Sequence, residues 1–257
     1  MLLCLDVGNT QIFGGVFAGE DLRVTFRRTS NVRASSDEFG TFFRAVLREN
    51  DVDPAEVDAA AVCSVVPDVL HSLRNCFRKY FALDEPFLLQ PGVKTGLKIR
   101  YRNPLEVGGD KIANAIGALE RFPGRNLLIV DFGTATTLCA VTSEREYLGG
   151  IITPGIHTSM AALEANTARL PAVEIARPAE VLGRSTIESI QAGLYYGTLA
   201  TVRSLAADVT ERHFKNDKPL VIGTGGFGRL FEEERLFDAF VPELSLIGLR
   251  RAASLAL

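Results

Sequence analysis

Leu2-Leu3-Cys4-Leu5-Asp6-Val7-Gly8-Asn9-Thr10, at the start of the chain, is echoed by Leu127-Leu128-Ile129-Val130-Asp131-Phe132-Gly133-Thr134-Ala135-Thr136 near its middle. In each, four apolar residues precede an aspartate, one further residue and a glycine. An unbroken apolar run of this kind is how a strand covered on both faces is written. The aspartate falls where the strand leaves the core, and the glycine permits a tight reversal. Apolar residues resume after each turn, at Ile12-Phe13-Gly14-Gly15-Val16-Phe17 and at Leu138-Cys139-Ala140-Val141. Each stretch therefore reads as a β-hairpin. Asp6 and Asp131 stand about half a chain apart, so the sequence predicts two similar halves.

Helices are legible between the strands. Ser35-x-x-Glu38 is a capping box, followed by Phe39, Phe42, Phe43, Val46 and Leu47 at helical spacing. Pro67 to Phe81 carries a second apolar stripe, and Ile112, Ala115, Ile116 and Leu119 a third. A long helix is expected from Ser185, again with a glutamate three residues on, toward Glu211. Strands are expected at 59–66, 87–90, 97–101, 147–152 and 220–222. The fold class is therefore α/β with mixed sheets, in an N-terminal lobe over 1–120 and a C-terminal lobe over 121–257.

Composition narrows the function. The chain has 257 residues, 47% hydrophobic and 23% charged, with a formal net charge of −3. No basic field is present to draw in nucleic acid or an anionic membrane. Nothing approaches the roughly 18 apolar residues of a membrane span, and the N-terminus has no signal-peptide core. A soluble, cytoplasmic protein is expected. Cys4, Cys63, Cys76 and Cys139 lack metal spacing and read as reduced core thiols. His71, His157 and His213 form no ligand pair. Catalysis is left to carboxylates.

Turn amides and hydroxyls cradle phosphate oxygens, while acids hold the Mg²⁺ that offsets phosphate charge. Two matched Asp-x-Gly turns thus favour a shared nucleotide over two unrelated turn caps. Between them lies Arg100-Tyr101-Arg102-Asn103-Pro104-Leu105-Glu106-Val107-Gly108-Gly109-Asp110-Lys111. Asp110, at a helix start beside a glycine pair, suits an N-cap or a base that accepts a hydroxyl proton. Arg100, Arg102 and Lys111 offer charge for an anionic substrate tail. Gly223-Thr224-Gly225-Gly226-Phe227-Gly228 formally matches a dinucleotide motif, but too little chain follows it for that fold. No Walker A loop or protein-kinase set is present.

The motifs Asp6-Val7-Gly8-Asn9-Thr10, Arg100 to Pro104 with Val107-Gly108-x-Asp110, Asp131 to Thr136, and Gly149-Gly150-Ile151-Ile152-x-Pro154-Gly155 resemble those of type III pantothenate kinases. The likeness runs in order through most of the chain. It implies a duplicated ribonuclease-H-like (actin-like) fold and ATP-dependent phosphorylation of pantothenate, the first step toward coenzyme A. By the same resemblance Asp6, Val7, Gly8, Asn9, Thr10, Gln11, Ile12, Phe13 and Thr134 would bind ATP, with Gly223 to Gly226 near the adenosine. Asp110 would be the catalytic base, and Asp131 would hold a monovalent cation, K⁺ or NH₄⁺. Tyr101, Gly108, Gly109, Asp110 and Lys111 would line the pantothenate pocket. Thr186 would reach substrate across a homodimer. The family usually reads Gly-Ala-Asp-Arg where this chain has Gly108-Gly109-Asp110-Lys111, so Gly109 is expected to loosen the backbone there. Two rivals remain at this stage: a regulatory accessory protein, and an actin-like kinase for another small hydroxyl compound.

Overall fold

The computed structural model describes residues 1–167, 170–215 and 217–256. It divides into two units, Met1–Leu97 with Tyr101–Arg121 and Leu244–Leu257, and Lys98–Arg100 with Phe122–Glu243. The boundary expected at 120/121 is therefore crossed by two exceptions. A short strand from the first half sits in the second unit, and the C-terminal helix returns to the first.

In the first unit β1 (Leu2–Val7) and β2 (Gln11–Ala18) form the predicted hairpin, extended by β3 (Asp21–Thr29). On the other side of β1 lie β4 (Ala59–Ser64) and β5 (Phe87–Leu88), both parallel to it, giving the order β3-β2-β1-β4-β5. Strand alternation sorts the side chains of β1. Leu3, Leu5 and Val7 join Phe39, Phe43 and Leu47 of α1 (Ser36–Arg48) and Leu73 and Phe77 of α2 (Val69–Phe81) in one core. Cys4 and Asp6 point to the opposite face. The capping box forms as predicted, with Ser35 Oγ accepting from the Glu38 N–H and Glu38 accepting from the Ser35 N–H at 2.8 Å. After β5 the chain enters α3 (Gly109–Arg121).

The second unit receives β6 (Lys98–Ile99) and continues with β7 (Leu127–Phe132), β8 (Ala135–Val141) and β9 (Glu146–Pro154). Next come α4 (Ile156–Asn166), α5 (Thr186–His213), β10 (Leu220–Thr224) and β11 (Ala239–Phe240). The sheet order is β11-β10-β7-β8-β9-β6. Without the added edge strand β6, it repeats the first sheet strand for strand: a hairpin antiparallel through β7-β8-β9, then parallel neighbours β10 and β11. The duplicated ribonuclease-H-like architecture is thus present in the topology itself. Leu128, Val130 and Phe132 pack against Ile190, Leu194, Tyr195 and Leu199 of α5.

The last helix, α6 (Leu244–Ala256), joins the first unit, where it packs on α3 and on β1 and β4. The helices touch backbone to backbone. A Cβ built on Gly248 would lie 1.8 Å from the Ala113 carbonyl oxygen. All four cysteines are free and buried, as expected. Among the described residues no helix is long and apolar enough to cross a membrane.

Candidate active site

In the first hairpin the Gly8 N–H donates to the Gln11 carbonyl at 3.0 Å, closing a turn whose Asn9, Thr10 and Gln11 are exposed. Val7 and Ile12 are wholly buried, so they offer the turn backbone only. Phe13 is half-buried beneath the Arg27 guanidinium, 4.0 Å from its ring centre. The parity of β1 sends Asp6 toward α3 and α6, and its register places it beside Cys63 of β4. The Cys63 thiol donates to Asp6 Oδ1 at 3.4 Å. Burial pushes the Asp6 carboxyl up to about 6, and the charge of Asp110 pushes the same way. Hydrogen bonds from Ser245 and Cys63, then the Arg27 charge, oppose them. Two carboxylates therefore sit close enough to repel within one unit.

Asp110 reaches that place because α3 begins against the sheet. A Cβ on Gly109 would lie 2.6 Å from the Leu89 carbonyl oxygen and 3.2 Å from Cys63 Cβ. Close approach of Leu89 and Cys63 thus leaves little room for a side chain at position 109. Asp110 Oδ2 accepts from the Lys111 ammonium at 3.2 Å. Asp110 Oδ1 is buried and accepts no hydrogen bond. An enclosed carboxylate oxygen with its lone pairs unspent is what a base awaiting a hydroxyl proton requires. Tyr101 and Gly108 are half-buried in the same unit. Arg100, read earlier as charge for a substrate tail, is instead ion-paired with Glu146, tying β6 to β9.

In the second unit Asp131 is the penultimate residue of β7, opposite Thr137 on one side and Thr224 on the other. Gly225 has φ +89°, and a Cβ there would meet Asp131 Oδ1 at 2.4 Å. The glycine loop at 223–226 thus lies directly on the aspartate. Thr134 is exposed, and its carbonyl accepts from the Gly155 N–H at 3.1 Å and the Thr158 hydroxyl at 2.6 Å. The start of α4 thereby fastens the second turn. Thr186 is the exposed first residue of α5, on the rim of a groove of about 1130 Å³ that Thr158, Ser159, Leu163 and Leu194 help line.

The site residues named from sequence thus fall into two sets. Asp6 to Phe13, Tyr101 and Gly108 to Lys111 belong to the first unit, and Asp131, Thr134 and Thr186 to the second. Sequence reasoning missed Cys63 and Ser245 as partners of Asp6, since only the pairing of β1 with β4 and the return of α6 bring them there. Among the described residues no cluster of three or more His, Cys, Asp or Glu forms a metal cage. The neighbouring Asp6 and Asp110 carboxylates are hard oxygen donors whose repulsion a divalent cation carried in with phosphates would relieve, so they fit Mg²⁺. Asp131 offers one half-buried carboxylate oxygen donor against the 223–226 loop.

The comparisons agree with this architecture. The family model described as type III pantothenate kinase matches residues 2–208. A type III pantothenate kinase from Legionella pneumophila (strain Corby) is 53% identical over 253 residues, covering 98% of each chain. One from Elusimicrobium minutum is 48% identical, covering 98% of this chain and 97% of its own. Among solved structures, a protein described as a Baf-family transcriptional activator from Campylobacter jejuni superposes with a TM-score of 0.58. It is 19% identical and covers 98% of this chain and 97% of its own, which speaks to fold alone. On its sequence and its duplicated fold, this chain belongs to the type III pantothenate kinase family.

Proposed function

We propose that this chain transfers the γ-phosphoryl group of ATP to the primary hydroxyl of pantothenate. The products are ADP and 4′-phosphopantothenate, and the reaction is the first step of coenzyme A biosynthesis. The observation that carries the reading is the 53% identity, over nearly the full length, to a relative named type III pantothenate kinase.

Asp110 Oδ1 accepts the hydroxyl proton as the substrate oxygen attacks the γ-phosphorus. The bond to the β-phosphate oxygen breaks, and ADP leaves with its electrons. Because phosphoryl transfer through a loose transition state needs little base strength, Asp110 acts mainly by aligning the hydroxyl. Lys111, bonded to Oδ2, holds the carboxylate with Oδ1 turned to the substrate. Tyr101, Gly108, Gly109 and Lys111 line the pantothenate pocket. Asp6 to Phe13 and Thr134 contact ATP, and Gly223 to Gly226 lie near the adenosine.

Asp6 would hold the Mg²⁺ that accompanies ATP, and Asp131 would hold a monovalent cation, K⁺ or NH₄⁺; both ions would supply charge that offsets the phosphates. Thr186 reaches the substrate of a second copy in a homodimer, consistent with exposed Ile187 beside it and Leu163 on the groove. Both substrates are cytoplasmic metabolites, and the enzyme works there. The test is ADP release from purified protein with ATP, Mg²⁺ and K⁺. Release that depends on pantothenate is expected, and release indifferent to pantothenate would overturn the reading.

A further inference from the structure

Within the first unit, Asp6 is gripped by two side chains that lie beneath the surface. Cys63 of β4 and Ser245, in the first turn of α6, are both buried, whereas Asp6 keeps part of its surface open. The Cys63 thiol donates to Asp6 Oδ1 at 3.4 Å, and the Ser245 hydroxyl donates to the same carboxylate. A carboxylate has about four lone-pair sites. Two are taken by these buried donors, and the remainder are left for a ligand on the open side.

The backbone around Ser245 is seated with little slack. A Cβ on Gly117 of α3 would lie 2.2 Å from the Leu244 carbonyl oxygen, and one on Gly15 of β2 would lie 2.9 Å from Leu246 Cδ1. With the contact of Gly248 on Ala113, three glycines let α6 settle against β2 and α3 on both sides of position 245. The hydroxyl therefore cannot follow Asp6 if the carboxylate turns. Such a hold has work to do, because α3 also carries Asp110, whose negative charge acts on Asp6. Like charges in a partly dry site drive the two carboxylates apart. A donor fixed on the sheet and another fixed on α6 resist that motion. The amino-terminal turn of α6 adds the positive end of its dipole.

We infer that Ser245 and Cys63 are positioning residues of this kinase. They hold the Asp6 carboxylate against the repulsion of Asp110, with its open lone pairs turned to the divalent cation that accompanies ATP. Both act through Asp6, without contact to the cation or the substrate. The inference rests on the reading of Asp6 as the acid that holds Mg²⁺.

The experiment is calorimetric titration of ATP, without pantothenate, into wild type, S245A, S245T and C63A, in Mg²⁺ and in EDTA. A hydrogen bond to an ionised group contributes roughly tenfold or more to such an equilibrium. S245A should weaken the Mg²⁺ complex of ATP about tenfold, and metal-free ATP less than threefold. S245T keeps the hydroxyl, and should return the Mg²⁺ complex to within threefold of wild type. C63A should show the same preference with a smaller loss, since a thiol is the weaker donor. In steady-state assays of S245A, KM for Mg·ATP should rise by the same factor while KM for pantothenate moves less than threefold. Equal losses with and without Mg²⁺, or no loss in either S245A or C63A, would reduce the pair to packing and overturn the inference, leaving the kinase reading intact. Wild type that binds ATP equally well in Mg²⁺ and in EDTA would overturn the cation reading of Asp6, and the inference with it. Wild type that phosphorylates no pantothenate would instead overturn the kinase reading itself.

Discussion

At the scale of single residues, the proposed chemistry turns on two carboxylates in different surroundings. Asp110 holds one oxygen on Lys111 and keeps the other unspent. Asp110→Asn keeps the size but removes the base, so kcat should fall about 10²-fold or more while the KM for ATP moves less than threefold. Steady-state kinetics in both substrates will tell. Lys111→Arg should shift pantothenate KM, because a guanidinium binds a carboxylate in a two-pronged way that an ammonium does not. An unmoved KM would remove Lys111 from the pocket. Asp6 carries a stability signature as well. Its carboxyl is raised from the ordinary value to about 6 by burial and by Asp110. The folded state therefore holds that proton more tightly than the unfolded chain does. Its contribution favours folding fully below the unfolded value and is lost as pH climbs through 6. In buffer free of divalent cations, Asp6→Asn should be more stable than wild type at pH 7.5 by about 3 kcal/mol. The difference should vanish near pH 4, and thermal melts at the two pH values measure it.

At the scale of elements, the legible features were those decided locally. Both hairpins, the Ser35–Glu38 box and the stripes of α1 and α2 are written in short stretches, and each forms. The Ser185 cap also forms, although Glu188 returns its bond to the Arg184 N–H rather than to Ser185. Neither α4 nor α6 was read. α6 is buried on several sides, with Leu244, Leu246, Leu249, Ala252 and Ala253 all covered, so it shows no one-sided stripe. Strand β3 alternates only over part of its length, with Val24 and Phe26 inward. At the site, sequence reached Asp6 and Asp110 through the hairpin and the glycine pair. Cys63 and Ser245 depend on strand register and on a helix more than a hundred residues away, which no local pattern records. The contact between α3 and α6 makes its own prediction. Gly248→Ala would drive a methyl into the Ala113 carbonyl and should cost 2 kcal/mol or more, on the order of other overpacked cores. Gly197→Ala, in the middle of α5 with open space around it, should stabilise the chain by up to about 1 kcal/mol. Denaturant unfolding of the pair separates close packing from helix propensity.

At the scale of the whole molecule, two copies of one topology explain why the chain opens each half on an aspartate-bearing strand. Alternation in β1 and β7 sends Asp6 and Asp131 to the face opposite the main helical core of each sheet. The units are nevertheless not contiguous in sequence. Residues 1–121 lack α6, whose removal would uncover the Cys4 and Asp6 face of their sheet, so this fragment should not give a cooperative melt. Joining Leu244–Leu257 to it through a flexible linker should restore one, as calorimetry will show. The monovalent-cation site proposed at Asp131 makes a prediction too: replacing K⁺ by Na⁺ should lower turnover in the wild type, and Asp131→Asn should lose that response.

The placement of β6 and α6 also bears on how such a gene is able to vary. Lys98–Ile99 pairs with β9, encoded after the midpoint, and the final helix completes the sheet encoded first. A recombination event at the middle of the reading frame would leave one parent's edge strand seeking the other parent's partner, and one parent's closing helix against a foreign sheet. Viable chimeras between relatives should therefore be rare for single crossovers near residue 121. They should be common for exchanges that swap 98–100 together with the 122–243 block.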